Sequence, residues 1–312
     1  MAYPKWDREY AESMTGPYKS GQLRQQVYKS NGEVFHAEGY TTESGKNVSL
    51  PAQDPMLSGT KFYGEEFSVD NVPTCTDKVL TNVVNKDCLV VAKEMLDEGY
   101  NPAVLNLADA YIACGYYKKG LRAQEESICR VSTLSRSLYQ YYHAKTGKKD
   151  RYAKDVNVEV VQKAYPMDIN FGGVYSPDVT VFRNADDHYA FLDEPYKVGI
   201  VSVAALSFNE KSGKDLHYQS SDGGFTPEGL TIMKNKIRTI YRLALANGHD
   251  SLVAGAFGCG AFRLPGSEVA SLFNEILNEP EFQNKFRKIT FAILAKIKSD
   301  ERFLPFYELF NR

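Results

Sequence analysis

From about residue 78 onward, short apolar runs of strand length alternate with segments whose apolar residues recur every three or four positions. KVLTNVVN, PAVLNLA, VTVFR, VGIVSVAAL, SLVAGAFG and KITFAIL read as strands; LVVAKEMLDEG and TPEGLTIMKNKIRTIYRLALANG read as amphipathic helices. A further helix is expected over residues 124–142, where Ile128, Val131, Leu134, Leu138 and Tyr141 keep helical spacing. A chain built this way must bury strands between helices, so the expected class is an α/β domain with a mixed or mostly parallel sheet covered on both faces. In such sheets ligands sit beyond the carboxyl ends of the strands.

Residues 1–75 are more polar, with one helical stretch near residues 22–31 and a Gly/Ser/Pro-rich run, ESGKNVSLPAQDP, that reads as hairpin and loop. The expected organisation is therefore a single globular unit with residues 1–75 as an N-terminal extension packed on the main domain of residues 76–312. The 312 residues are 43% hydrophobic and 24% charged, enough to bury a large core. Lys and Arg number 37 against 39 Asp and Glu, so there is no basic field for direct nucleic-acid binding, and an anionic ligand must be met by a local site. No apolar stretch is long enough to span a membrane.

Five cysteines, widely spaced and never in a C-x-x-C pair, suit a reducing setting, and the five histidines lack metal-ligand spacing. No metal or other cofactor is expected. The N-terminal MAYPKWDREYAES has no signal-peptide core, so the expected location is cytoplasmic, with signal-less delivery into another cell left open.

Two loops follow strands and precede helices. GAFGCGAF, residues 255–262, offers backbone N–H groups at glycines, as a diphosphate cradle would. It fails as a dinucleotide fingerprint because the pattern read from Gly258 ends in Arg263, and a tight turn fits it equally. DAYIACGYYKKG, residues 109–120, is the second, and it precedes Gln124, Glu125 and Glu126 at a helix start. Acids in a first turn favour the helix dipole and commonly do nothing more. Adjacent helix positions point about 100° apart, so two working acids there would hold different jobs, one binding and one acting as acid or base. Asp87 ends a strand, where it could take an amino group or cap the next helix. Cys259 between glycines reads more simply as a small buried thiol than as a nucleophile.

The linked blocks AQEESICRVSTL, VYSPDVTVFR and GAFGCGAF, with N-x-D-C-L and V-L-N-x-A before them, resemble the bacterial-type poly(ADP-ribose) glycohydrolases of the macrodomain superfamily, from about residue 22 to about residue 297. The resemblance implies a three-layer α/β/α macrodomain with an N-terminal helical extension. It implies an ADP-ribosyl glycohydrolase that binds ADP-ribose or ADP-ribosylated protein. Glu126 would be the acid/base and Glu125 would hold the ribose hydroxyls. Asp87 and Cys88 would lie at the adenine, Asn106 and Asp109 toward the distal ribose, and Gly258, Cys259, Gly260 and Ala261 at the diphosphate with Phe262 over the ribose. Gly115, Tyr116 and Gln124 complete the implied binding set.

The sequence departs from the family where P-G-G-G is usual, reading Ala113-Cys114-Gly115-Tyr116, and its strand-end segment closes on Asp109. With that degenerate glycine loop, removal of mono-ADP-ribose, arginine-linked forms included, stands beside poly-ADP-ribose cleavage. A non-catalytic ADP-ribose reader is the alternative.

Overall fold

A computed structural model describes residues 3–50, 55–143, 151–211, 213–297 and 299–311. Residues 51–54 of the Gly/Ser/Pro-rich run lie outside the described residues. In chain order the elements are α1 (Arg8–Ser13), α2 (Pro17–Ala37), β1 (Gly39–Thr41), β2 (Asn47–Ser49), α3 (Pro55–Gly59), β3 (Lys61–Tyr63), β4 (Leu80–Val84), α4 (Cys88–Asp97) and β5 (Pro102–Leu107). They continue with α5 (Gln124–Val131), α6 (Leu134–Tyr139), α7 (Arg151–Asp155), β6 (Gly173–Asn184), β7 (Ala190–Val203), α8 (Pro227–Ala246), β8 (Ser251–Ala254), α9 (Gly266–Leu277), β9 (Lys288–Ala292) and α10 (Leu304–Phe310). Strands β1 and β2 form a small antiparallel ribbon. The other seven form a mixed sheet in the order β3-β6-β7-β5-β8-β9-β4. The expected α/β class with a mixed central sheet is the one observed.

Contacts group the chain into two units. One comprises Met1–Phe62, Tyr111–Pro166 and Ser176–Val198; the other comprises Tyr63–Ala110, Met167–Tyr175 and Gly199–Arg312.

In the second unit β4, β9, β8, β5 and residues 199–203 of β7 all run parallel. Strand β5 is buried along nearly its whole length, which is why PAVLNL reads as apolar but for Asn106. Helix α4 starts where the Asp87 carboxylate accepts from Leu89 N–H, and the chain leaves it through Gly99 at φ +82. Helix α8 starts at Thr226, whose side chain accepts from Gly229 N–H, with Pro227 in its first turn. Tyr241 of α8 packs its ring on Phe273, Phe282 and Phe286, inside one continuous apolar cluster.

The first unit packs α2, α5, α6 and the β1–β2 ribbon with residues 176–184 of β6 and 190–198 of β7. Phe182, Phe191 and Tyr40 stack on one another there. The single helix expected over residues 124–142 is two. Ser132 leaves the helix to bridge Val181 antiparallel, Thr133 N–H donates to the Thr180 carbonyl, and Thr180 N–H donates to Thr133 Oγ1. Strand pairing at residues far along the chain overrides a spacing that continues unbroken through the gap.

Candidate functional site

In the first unit the two acids open α5, and both are buried, Glu125 to 3% exposure and Glu126 to 4%. No side chain caps the helix at Ala123. Glu126 Oε1 accepts from the backbone N–H of Tyr116 at 3.0 Å, while Oε2 is buried and has no hydrogen-bond partner among the described residues. A carboxyl group removed from water with one oxygen unengaged is costly unless a ligand meets it.

The loop in front of the acids is shaped by one glycine. Gly115 lies at φ +53, and a Cβ there would fall 2.6 Å from Glu126 Oε1 and 3.2 Å from Glu125 Oε2. Cys114 before it adopts φ +62, a left-handed conformation that costs a side-chain residue about 1–2 kcal/mol. Its thiol points inward to hydrogen-bond with that of Cys129, and burial pushes it well above its ordinary pKa. Tyr116 faces outward, 40% exposed, with the Lys119 ammonium 4.8 Å from its ring centroid. So of the three positions at which the family usually carries glycine, the one in which a Cβ cannot fit is the one retained.

The next carbonyls are each held by a side chain. Gln25 donates to the Lys119 carbonyl at 3.1 Å, Arg24 to Gly120 at 2.5 Å, and Arg130 to Leu121 at 2.6 Å. Arg130 also donates to Ser127 Oγ at 3.1 Å, so it ties the loop to the first turn of α5. Asn31 of α2, fully buried, donates to the Tyr117 hydroxyl and the Arg130 carbonyl, and accepts from Arg183 Nε. Arg183 also donates to Ser30 and to the Tyr189 carbonyl, and burial pulls its pKa down to about 9.

Sequence reasoning missed Arg130, Arg24, Gln25 and Asn31. Arg130 alone left a trace, as a cation between Cys129 and Val131 on a helix four residues beyond Glu126.

In the second unit the other named residues sit at strand ends. Asp87 and Cys88 open α4, Asp87 half-buried as its cap and Cys88 buried. Asn106 is fully buried near the end of β5 and donates to Ser202 Oγ at 3.0 Å. Half-buried Asp109 follows, in a segment anchored by Ala108 N–H to the Val203 carbonyl and by Met167 N–H to the Ala110 carbonyl.

The loop after β8 turns at Gly258, φ +76, where a Cβ would meet Leu264 at 2.4 Å and Ala205 at 2.8 Å. Gly260 is exposed with nothing within 4 Å of a built Cβ, so its backbone is open to a ligand. Ala261 offers its carbonyl to Asn209, and the carbonyl of half-buried Phe262 accepts from Phe208 N–H. Burial pushes the Cys259 thiol up to about 12, which keeps it protonated and poor as a nucleophile. Among the described residues no cluster of three or more His, Cys, Asp or Glu could hold a metal ion, and no helix is long and apolar enough to cross a membrane.

Solved structures with the same fold include bacterial poly(ADP-ribose) glycohydrolases. The Thermomonospora curvata enzyme is 23% identical and superposes with a TM-score of 0.69 over 93% of this chain and all of its own. Its form bound to the inhibitor ADP-HPD gives 0.68 at 23% identity, over 92% of this chain and 99% of its own. The Deinococcus radiodurans enzyme in complex with ADP-ribose is 25% identical, with a TM-score of 0.62 over 84% of this chain and 98% of its own. No relative was found among curated proteins. A family model described as microbial-type PARG, catalytic domain, matches residues 29–184, half of the chain, a span that includes the Gln124-Glu125-Glu126 turn and the loop that holds it. This chain therefore belongs to the microbial-type PARG family and is a glycosidase of the hydrolase class.

Proposed function

We propose that the protein hydrolyses the glycosidic bond joining the distal ribose of ADP-ribose to its acceptor on a modified protein, with Glu126 as acid and then base. Glu126 first protonates the leaving atom as the C1″ bond breaks through an oxocarbenium-like state. It then takes a proton from the water that attacks C1″. Glu125 binds the ribose hydroxyls, and Gln124, Gly115 and Tyr116 line the same end of the ligand. Asp87 and Cys88 meet the adenine, Asn106 and Asp109 lead to the distal ribose, and Gly258, Cys259, Gly260 and Ala261 meet the diphosphate, with Phe262 on the ribose.

The observation that carries this reading is the buried Glu126 carboxylate, aimed by a backbone N–H at one oxygen and unengaged at the other. Family membership and the ADP-ribose and ADP-HPD complexes of the solved relatives support it. Release of ADP-ribose from poly- and mono-modified protein tests it. Glu126→Gln is expected to lose about two to four orders of magnitude in kcat, and equal rates in the two proteins would reject the assignment. Cys114 and Tyr116 in place of glycines favour the second reading, a binder of ADP-ribose without turnover. Tight ADP-ribose binding with no hydrolysis of any modified substrate would establish that instead.

A further inference from the structure

The loop after β8 has its acceptors engaged and its donors open. Leu264 N–H donates to the Gly258 carbonyl at 3.1 Å, and Arg263 N–H donates to the Gly260 carbonyl at 3.2 Å. Asn209 Nδ2 donates to the Ala261 carbonyl at 2.9 Å, and Phe208 N–H donates to the Phe262 carbonyl at 2.8 Å. Among the described residues nothing accepts from the N–H groups of Gly260, Ala261 and Phe262. Gly260 and Ala261 are exposed, and Phe262 is half-buried. Arg263 closes the turn at φ +59, a strained conformation for a side-chain residue that persists only where its surroundings hold it.

In a planar trans peptide the carbonyl and the following N–H point in opposite directions, so whatever holds the carbonyl also aims the N–H. Three of the four carbonyls are held by backbone groups, whose direction follows from the path of the chain. The fourth, at Ala261, is held by a side chain from the segment after β7, and its peptide plane carries the N–H of Phe262. The Asn209 amide is itself oriented: its Oδ1 accepts from Lys211 N–H at 3.0 Å, which leaves Nδ2 to face Ala261. The Asn209 N–H donates to Ser207 Oγ at 3.4 Å, and Ser207 N–H donates to the Asp215 carboxylate at 2.9 Å.

We propose that Asn209 is a positioning residue for the diphosphate of ADP-ribose, acting through the Ala261–Phe262 peptide. This rests on the reading that the loop after β8 meets the diphosphate. Holding the Ala261 carbonyl turns the Phe262 N–H toward the anion that the open N–H groups of Gly260 and Ala261 also meet. Without that hold the peptide is free to turn its carbonyl toward the ligand, where a lone pair facing phosphate replaces a donor.

Calorimetric affinity for ADP-ribose relative to adenosine, which carries no phosphate, reads the loop apart from the contacts to the nucleoside. Asn209→Ala, shown folded by thermal denaturation, is expected to weaken ADP-ribose binding about tenfold, the equivalent of ~1.4 kcal/mol, and to leave adenosine binding as it was. Asn209→Leu, which keeps the volume and removes the donor, should do the same. An ADP-ribose-to-adenosine ratio that either substitution leaves at the wild-type value would overturn the positioning role. Equal weakening of both ligands, the mark of a merely structural residue, would overturn it as well. A wild-type protein that binds ADP-ribose no more tightly than adenosine would instead overturn the reading that this loop meets a diphosphate.

Discussion

Gly115→Ala is the substitution whose consequence the geometry determines most closely. The new methyl carbon would sit 2.6 Å from Glu126 Oε1, 3.2 Å from Glu126 Cδ and 3.2 Å from Glu125 Oε2. Ordinary contact begins near 3.4 Å, so the carboxylate or the loop must give way by the better part of an ångström. Alanine at φ +53 adds about 1–2 kcal/mol of left-handed strain, and loss of the Tyr116 N–H bond to a carboxylate about 1.5–3 kcal/mol. Together these come to about 2.5–5 kcal/mol, enough to lower the melting temperature by several degrees. In the acid/base role proposed for Glu126, a displacement of nearly 1 Å costs about a hundredfold in rate. The assay is therefore paired: kcat for ADP-ribose release, and thermal denaturation. The expected result is a folded protein, less stable, with kcat down by about two orders of magnitude. A folded Gly115→Ala enzyme with wild-type kcat would refute the claim that this glycine leaves room for the carboxylate.

Two further substitutions probe charges that are buried beyond the two acids. Arg130, 1% exposed, donates to the Leu121 carbonyl and to Ser127 Oγ, a fork that a lysine cannot reproduce. Arg130→Lys should cost ~1.5–3 kcal/mol in urea denaturation and lower kcat more than it raises KM; unchanged kinetics would show that the loop holds itself. Lys236 on α8 is 2% exposed, and burial pulls its pKa from 10.5 to about 8. Between those values the unfolded chain binds a proton that the folded chain does not, so this group's contribution to stability rises with pH from about 8 to about 10.5, and below pH 8 its penalty is fully present. Lys236→Met should accordingly be more stable than wild type by ~3 kcal/mol at pH 7, with the gap closing toward pH 10. A gap that does not change with pH would refute the burial argument.

Legibility in the sequence follows the range of the forces involved. Strands β4, β5 and β9 and helices α4 and α8 carry their own signals: apolar runs, helical spacing, the Asp87 and Thr226 caps and the Gly99 stop. The three-residue strands β1, β2 and β3 are too short for alternation to register. At Ser132 the helical spacing was misleading, because the break is made by pairing with Thr180 and Val181, which lie some fifty residues away in sequence and follow no local rule.

The glycine loop separates what a motif records from what the chemistry requires. Counted as letters, Ala113-Cys114-Gly115-Tyr116 lacks two of the three glycines, and on that count a binder without turnover is favoured. Counted as contacts, the losses are unequal. A side chain at 114 turns inward to Cys129 and carries a backbone strain of about 1–2 kcal/mol. A side chain at 116 turns outward and keeps the N–H that holds Glu126. Only at 115 would a Cβ collide with the acids, and only there has glycine stayed. The substitutions at 114 and 116 therefore bear on backbone strain and on the outer surface of the loop, while the space beside the Glu126 carboxylate is kept by the glycine that remains.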